Sequence, residues 1–247
     1  EHINAMIKNL SFPYETGRLS ALNMMHRILK ELSDDAIHAQ GKNFFVQLVL
    51  RVVNEDSEPC RAKVMTCVQV LLERVTATQF EHLLGMAMQW IKNDGADEQS
   101  RLMAVAGLQC FGVACEVRSA RMAKHMNVIN DMIIERFHDR TIHWEVMYNS
   151  MVVLEKSVKL WTSSTSVLLP HLVACLMHEH AWVRAASSRV IGNALALTSV
   201  TAGTLGKSDA IFQLLRNVCH QFKFEDLHDD AAQQAMQTLV RVCGLLC

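Results

Sequence analysis

The sequence predicts an all-α protein built from stacked antiparallel helix pairs. Three observations carry this: a half-apolar composition poor in turn residues, apolar stripes at helical spacing, and a repeat of about forty residues. Of the 247 residues 50% are hydrophobic and 20% charged, so there is ample surface to bury and the chain is not a disordered one. That length suits one large domain or a run of small packed units. Three Pro, ten Gly and 6% aromatics are too few for the turns and strands of an all-β sandwich.

The elements follow in order. Thr16 to Leu32 reads as the second helix of a pair whose first helix is only partly present, giving a first unit over about 1–32. In the next, 44–75, Phe45, Leu48, Val49 and Val52 make one stripe, and Val64, Cys67, Val68, Leu71, Leu72 and Val75 make a second. The polar break Asn54-Glu55-Asp56-Ser57-Glu58-Pro59 separates them, and Pro59 is tolerated in the turn or the first helical turn. The same layout recurs over 80–115 around Lys92–Asp97 and over 126–158 around His138-Asp139-Arg140. It returns over 167–197 around His178-Glu179-His180, with Pro170 near the first helix's start, and over 209–246 around Phe224-Glu225-Asp226. The expectation is a single segment over 1–247 of five to six pairs, cut from a larger protein. Each hairpin is apolar on more than one face, so neighbours must stack on it.

One position anchors the register. Arg18, Arg61, Arg101 and Arg184 each open a second helix, and Trp144 takes that place in between, at steps of 43, 40, 43 and 40 residues. Asp56, Asp139 and Glu179 lie five positions before Arg61, Trp144 and Arg184. This spacing resembles the HEAT repeat, whose turn Asp and second-helix Arg form a ladder along the stack. The fold class is therefore an all-α HEAT-repeat α-solenoid, a superhelical stack of antiparallel helix pairs. Where Trp144 stands for Arg, that rung must be replaced by packing.

Chemistry is sparse. A net charge of −1, from 24 Lys+Arg against 25 Asp+Glu, argues against coating nucleic acid by bulk electrostatics. No phosphate-binding glycine motif and no H-E-x-x-H occurs. The eight Cys form no C-x-x-C and mostly sit in apolar stretches, which reads as small hydrophobes in a reducing compartment. The 14 Met follow helical stripes and read as core filling. His171, Cys175 and His178 share a helical face and are the nearest approach to a metal constellation, but a half-exposed helix edge reads the same way. No metal site, cofactor, catalytic residue or membrane span is expected. The one local positive cluster is Arg118, Arg121 and Lys124 with His125, which suits phosphate contact and equally a solvated loop between repeats.

The string His180-Ala-Trp-Val-Arg184-Ala-Ala-Ser-Ser-Arg189-Val-Ile-Gly192 resembles a segment of the small-subunit processome component 20 homologues, very large nucleolar HEAT-repeat proteins associated with the U3 small nucleolar RNA particle. Tyr14–Leu22 and Leu48–Ser57 followed by Cys60-Arg61 agree with it, in an order that suits the family's C-terminal part. The resemblance covers roughly 10–115 and 165–222. It implies a non-catalytic scaffold in pre-18S rRNA processing and 40S assembly, in the nucleolus. The implied partners are other processome proteins and pre-rRNA or U3 RNA, with no membrane and no small-molecule substrate. The other reading is a HEAT adaptor of a different kind, a nuclear transport receptor or a phosphatase or kinase scaffold. The apolar end, Val240–Cys247, calls for a covering repeat or partner.

Overall fold

The computed structural model describes residues 7–93, 97–139, 141–161, 165–197, 208–224, 226 and 229–244, and no strand occurs among them. The expected breaks at Asp94-Gly95-Ala96, Arg140 and Glu225, and the terminal residues 245–247, lie outside the described residues. Contacts gather into two compact units, Glu1–Arg118 and Ser119–Cys247.

The first unit holds α1 (Glu15–Glu31), α2 (Asp34–Val53), α3 (Glu58–Arg74), α4 (Ala77–Lys92) and α5 (Glu98–Val117). Local chemistry sets the boundaries. Ser33, Ser57 and Asp97 each accept a backbone N–H of the first helical turn, and Thr76 with Gln79 forms a reciprocal capping box. Pro59 sits in the first turn of α3. The apolar stripe opening at 44 marks only the later part of α2, which begins at Asp34. Buried Ile37, Gly41 and Phe44 carry the stripe back at helical spacing through an otherwise polar run.

The second helices α1, α3 and α5 pack in series, α2 and α4 flank them, and α2–α3 and α4–α5 are the hairpins. Leu22, Met25, Leu29, Phe44, Phe45, Leu71, Phe80 and Phe111 are fully buried between these layers. Gly107 lets α4 and α5 touch, since a Cβ there would lie 2.9 Å from the Ala87 carbonyl oxygen. By length and composition α5 could cross a membrane, with a mean hydropathy of 1.2 over its window. Its apolar residues are instead buried against α3 and α4, as in a core helix.

The second unit holds α6 (Met126–His138), α7 (Trp144–Ser157), α8 (Thr165–Cys175), α9 (Ala181–Leu197), α10 (Ser208–His220) and α11 (Asp229–Gly244). A short turn and a 3-10 segment, Ser119–His125, lead into α6. Pro170 falls inside α8 and is exposed, where the sequence placed it near the helix start. The second helices α7, α9 and α11 again pack in series. Small residues explain how closely α9 is held. The Ser187 hydroxyl donates to the Leu172 carbonyl at 2.6 Å, Ser188 and Thr238 bond at 3.1 Å, and Gly192 faces Thr238 and Arg241. Gln221 reaches back to the Leu176 carbonyl and Asn217 to that of Val173, tying α10 to α8.

Candidate functional site

Polar groups in this fold concentrate where one pair meets the next. Arg18, at the start of α1, donates to the carbonyls of Phe12 and Pro13 in its own turn. Its other nitrogens reach the following turn: Nε to Glu55 Oε2 at 3.0 Å, and Nη2 to Glu55 Oε1 at 2.7 Å and Asp56 Oδ1 at 2.8 Å. The Glu55 side chain is wholly buried and is also held by Arg51 at 2.7 Å and by the Ser57 N–H. Burial alone would raise the Glu55 carboxyl, but the bonds from Arg18, the Ser57 N–H and Arg51 outweigh it and hold it at about 2. The bond to Glu55 in turn raises the Arg18 pKa above its ordinary value.

Arg184 repeats this geometry in the second unit. Nη1 donates to the His178 and Glu179 carbonyls at 2.9 and 2.8 Å, and Nη2 pairs with Asp226 of the following turn. The guanidinium lies 3.8 Å over the Phe224 ring and is 2% exposed. The acids that take the forward bond are thus Glu55, Asp56 and Asp226. Glu179 enters through its backbone carbonyl, and Asp139 caps its own turn by accepting from the Thr141 N–H and hydroxyl. Arg61 donates to the carbonyls of Glu55 and Asp56, and Arg101 pairs with Glu98 in its own helix at 3.6 Å. Trp144 meets the next turn by stacking, its ring 3.8 Å from that of His180 with an interplanar angle of 3°.

A second set of arginines, Arg74 and the Arg118 of the positive cluster, closes the other end of the second helices. Arg74 at the end of α3 donates to the Leu29, Lys30 and Leu32 carbonyls of α1 and pairs with Asp34. Arg118, just after α5, donates to Leu72, Glu73 and Val75 of α3. Both satisfy terminal carbonyls that a helix leaves without partners. This divides the positive cluster. Helix α5 stops at Val117, and Arg118 has φ −133°, so 118, 121 and 125 do not share a helical face. The Arg118 guanidinium caps α3, whereas Arg121 and Lys124 are exposed.

The His171, Cys175 and His178 set is likewise separated by use. His171 stacks on Phe137 at 5.6 Å and meets His138 edge-on at 4.9 Å, and burial and then His138 lower its pKa. Cys175 is buried and its thiol is pushed up to about 12. His178 Nδ1 accepts the His180 N–H at 3.0 Å. Among the described residues no three His, Cys, Asp or Glu side chains gather where they could hold a metal.

One exposed feature of the second unit is aromatic. Trp182 on α9 is 54% exposed, yet it is flanked edge-on by Trp144 at 6.3 Å and Tyr148 at 5.7 Å, both from α7. A cleft of about 480 Å³ opens beside it, lined by Tyr148, Trp182, Ala185, Arg189 and Asp230 among others. It crosses three successive second helices. Helical spacing puts Trp182, Ala185 and Arg189 on one side of α9, but nothing in the sequence told that side from the buried one.

No protein-family model matches the chain. It is similar to U3 small nucleolar RNA-associated protein 20 of Schizosaccharomyces pombe, 22% identical over 210 residues, covering 80% of this chain and 8% of that protein. The protein of the same name from Saccharomyces cerevisiae is 19% identical over 250 residues, covering 96% of this chain and 10% of that protein. The chain therefore spans a tenth or less of the length of these curated relatives. They carry the U3-associated name that the motifs at Tyr14, Leu48 and His180 suggested. Among solved structures, Kap121p bound to RanGTP superposes with a TM-score of 0.77 at 15% identity, covering 99% of this chain and 26% of that one. Kap121p bound to the extreme C-terminus of the phosphatase Cdc14p gives 0.76 at 16%, covering 98% and 25%. At these identities the likeness is one of fold, and the fold is an all-α HEAT-repeat α-solenoid.

Proposed function

We propose that this chain is a non-catalytic scaffold segment in U3-associated ribosome biogenesis, serving the small-subunit processome in pre-18S rRNA processing and 40S assembly. One observation carries the reading: the sequence similarity to the two U3-associated proteins runs along most of the chain, 80% of it in one and 96% in the other. The arginine networks support a structural role, because their donors point at neighbouring repeats and at backbone carbonyls. Binding then rests on extended surfaces, the faces of the second helices and the loops between repeats, meeting other processome proteins and pre-rRNA or U3 RNA in the nucleolus. The near-neutral net charge suits a component that meets mostly protein and touches RNA at local patches such as Arg121 and Lys124.

A transport receptor, or a phosphatase or kinase scaffold, would use the same kind of repeat. The likeness to Kap121p concerns fold, whereas the sequence similarity favours ribosome assembly. The deciding experiment is affinity purification of the full-length protein from cells. Pre-18S rRNA and the U3 particle are expected to co-purify, and a transport cargo without pre-rRNA would overturn the reading.

A further inference from the structure

We propose that the aromatic cleft of the second unit is a docking site for an arginine or lysine side chain on a protein partner. The proposal rests on the scaffold reading and deepens it by naming the chemistry of one partner contact.

Three properties of the cleft point there. First, Trp182 is held in place: Trp144 and Tyr148 contact it edge-on, and the far face of Trp144 is closed by His180. An exposed aromatic that is already ordered offers contact area at little entropic cost, and Trp and Tyr dominate the energetics of protein interfaces. Second, the charge is complementary to a cation. Arg189 is matched by Glu155 at 3.3 Å, which leaves exposed Asp230 as the carboxylate lining the cleft. The Arg189 guanidinium in the lining is thus already engaged by a carboxylate, and Asp230 is exposed to meet a second cation. Third, aromatic faces with a carboxylate at one wall match a guanidinium or ammonium by cation–π and ionic contact together.

A stacked nucleobase is the competing occupant, since bases also stack on Trp and Tyr. It would carry its phosphate beside the Asp230 carboxylate, with Arg189 engaged by Glu155. A purely apolar anchor would strip water from Asp230 without giving it a partner. The observations favour the cation.

The test is fluorescence anisotropy of the chain with three labelled probes: acetyl-Gly-Arg-Gly-Arg-Gly amide, the same peptide with citrulline for arginine, and a ten-nucleotide oligouridylate. Citrulline keeps the shape and removes the charge. The arginine peptide is expected to bind roughly tenfold more tightly than the citrulline one. Trp182→Ala and Asp230→Asn are each expected to weaken it by a similar factor with unchanged helical circular dichroism, because both side chains are exposed. Equal binding of the two peptides, indifference to both substitutions, or no binding would overturn the proposal. So would oligouridylate binding that Trp182→Ala abolishes and the arginine peptide does not displace. None of these results bears on whether the full-length protein co-purifies with pre-rRNA, so the scaffold reading fails separately.

Discussion

Replacing Arg18 by Met removes five hydrogen bonds, three of them to carboxylate oxygens, and keeps most of the side chain's length. The Glu55 side chain, wholly buried, then has only Arg51 and the Ser57 N–H to answer its charge. Breaking a buried pair from one side costs about 3–5 kcal/mol, and the partners that remain bring the expected loss to about 2–4 kcal/mol. For a unit of this size that is roughly a 10 °C fall in midpoint. Arg61→Met is the control: its guanidinium donates to two backbone carbonyls, at 2.7 and 3.1 Å, so about 1 kcal/mol is expected. Urea unfolding followed by circular dichroism gives both numbers. The pH dependence supplies a second readout. Glu55 is depressed from 4.5 to about 2, so its stabilisation is full above about pH 4.5 and disappears as the pH falls towards 2. Without Arg18, burial pulls the folded carboxyl back up towards its ordinary value, so Glu55 has less stability to lose and the acid limb flattens. Equal destabilisation by the two substitutions, or an unmoved acid limb, would refute the argument that Glu55 and Arg18 act as one buried pair.

Other substitutions test the rest of the structure. Arg118→Ala is expected to cost about 2 kcal/mol by leaving three α3 carbonyls without their donor, and thermal denaturation reads it. If the same change abolished RNA binding without affecting stability, the capping role would be wrong. Gly107→Ala forces a Cβ against the Ala87 carbonyl oxygen and should destabilise by about 1–3 kcal/mol. Gly85→Ala, with open space around it, should stabilise α4 by about 0.5–1 kcal/mol in the same unfolding assay. Iodoacetamide at pH 8, followed by mass spectrometry, should label Cys219 and Cys243 first. Cys67, Cys110 and Cys175 are buried with thiols pushed up to about 12 and should react only on unfolding. Metal analysis should return no stoichiometric zinc, and one zinc per chain would reinstate His171, Cys175 and His178.

The helices were legible because burial writes itself into spacing: Val64, Val68 and Leu71 can share a face in only one kind of element. The start of α2 was not, because between Asp34 and Asn43 only Ile37 and Gly41 mark the buried side. The arginine period singled out Arg18 and Arg184, but the carboxylate five positions before Arg184 does not take its forward bond. The acid five positions earlier sits in the same turn, whereas the guanidinium bonds that turn's carbonyls and reaches one repeat on, to Asp226. Glu55 was hidden for a related reason, since beside Asp56 in a polar break nothing in the sequence says which carboxylate turns inward. Arg74 and Arg118 end helices, and a helix-ending arginine looks the same whether it faces water or a neighbour's carbonyls. In the sequence Trp182 is one letter of the string His180–Gly192. Its exposure depends on how α7, α9 and α11 lie side by side.

The stacked Trp144 and His180 rings carry a mechanical consequence. Junctions fastened by guanidinium and carboxylate weaken as ionic strength rises, most of all where the acid is half in water, as Asp226 is. A junction fastened by two parallel rings has almost no such dependence. Successive joints of the second unit therefore differ at their turns: the turn contact between α7 and α9 keeps its strength in salt, with the part-exposed Glu155–Arg189 pair farther along to be screened, and the turn contact between α9 and α11 softens. Bending under load would then collect at the softer joint, and a change in the surrounding ions would alter where the chain yields before it altered whether it stays folded.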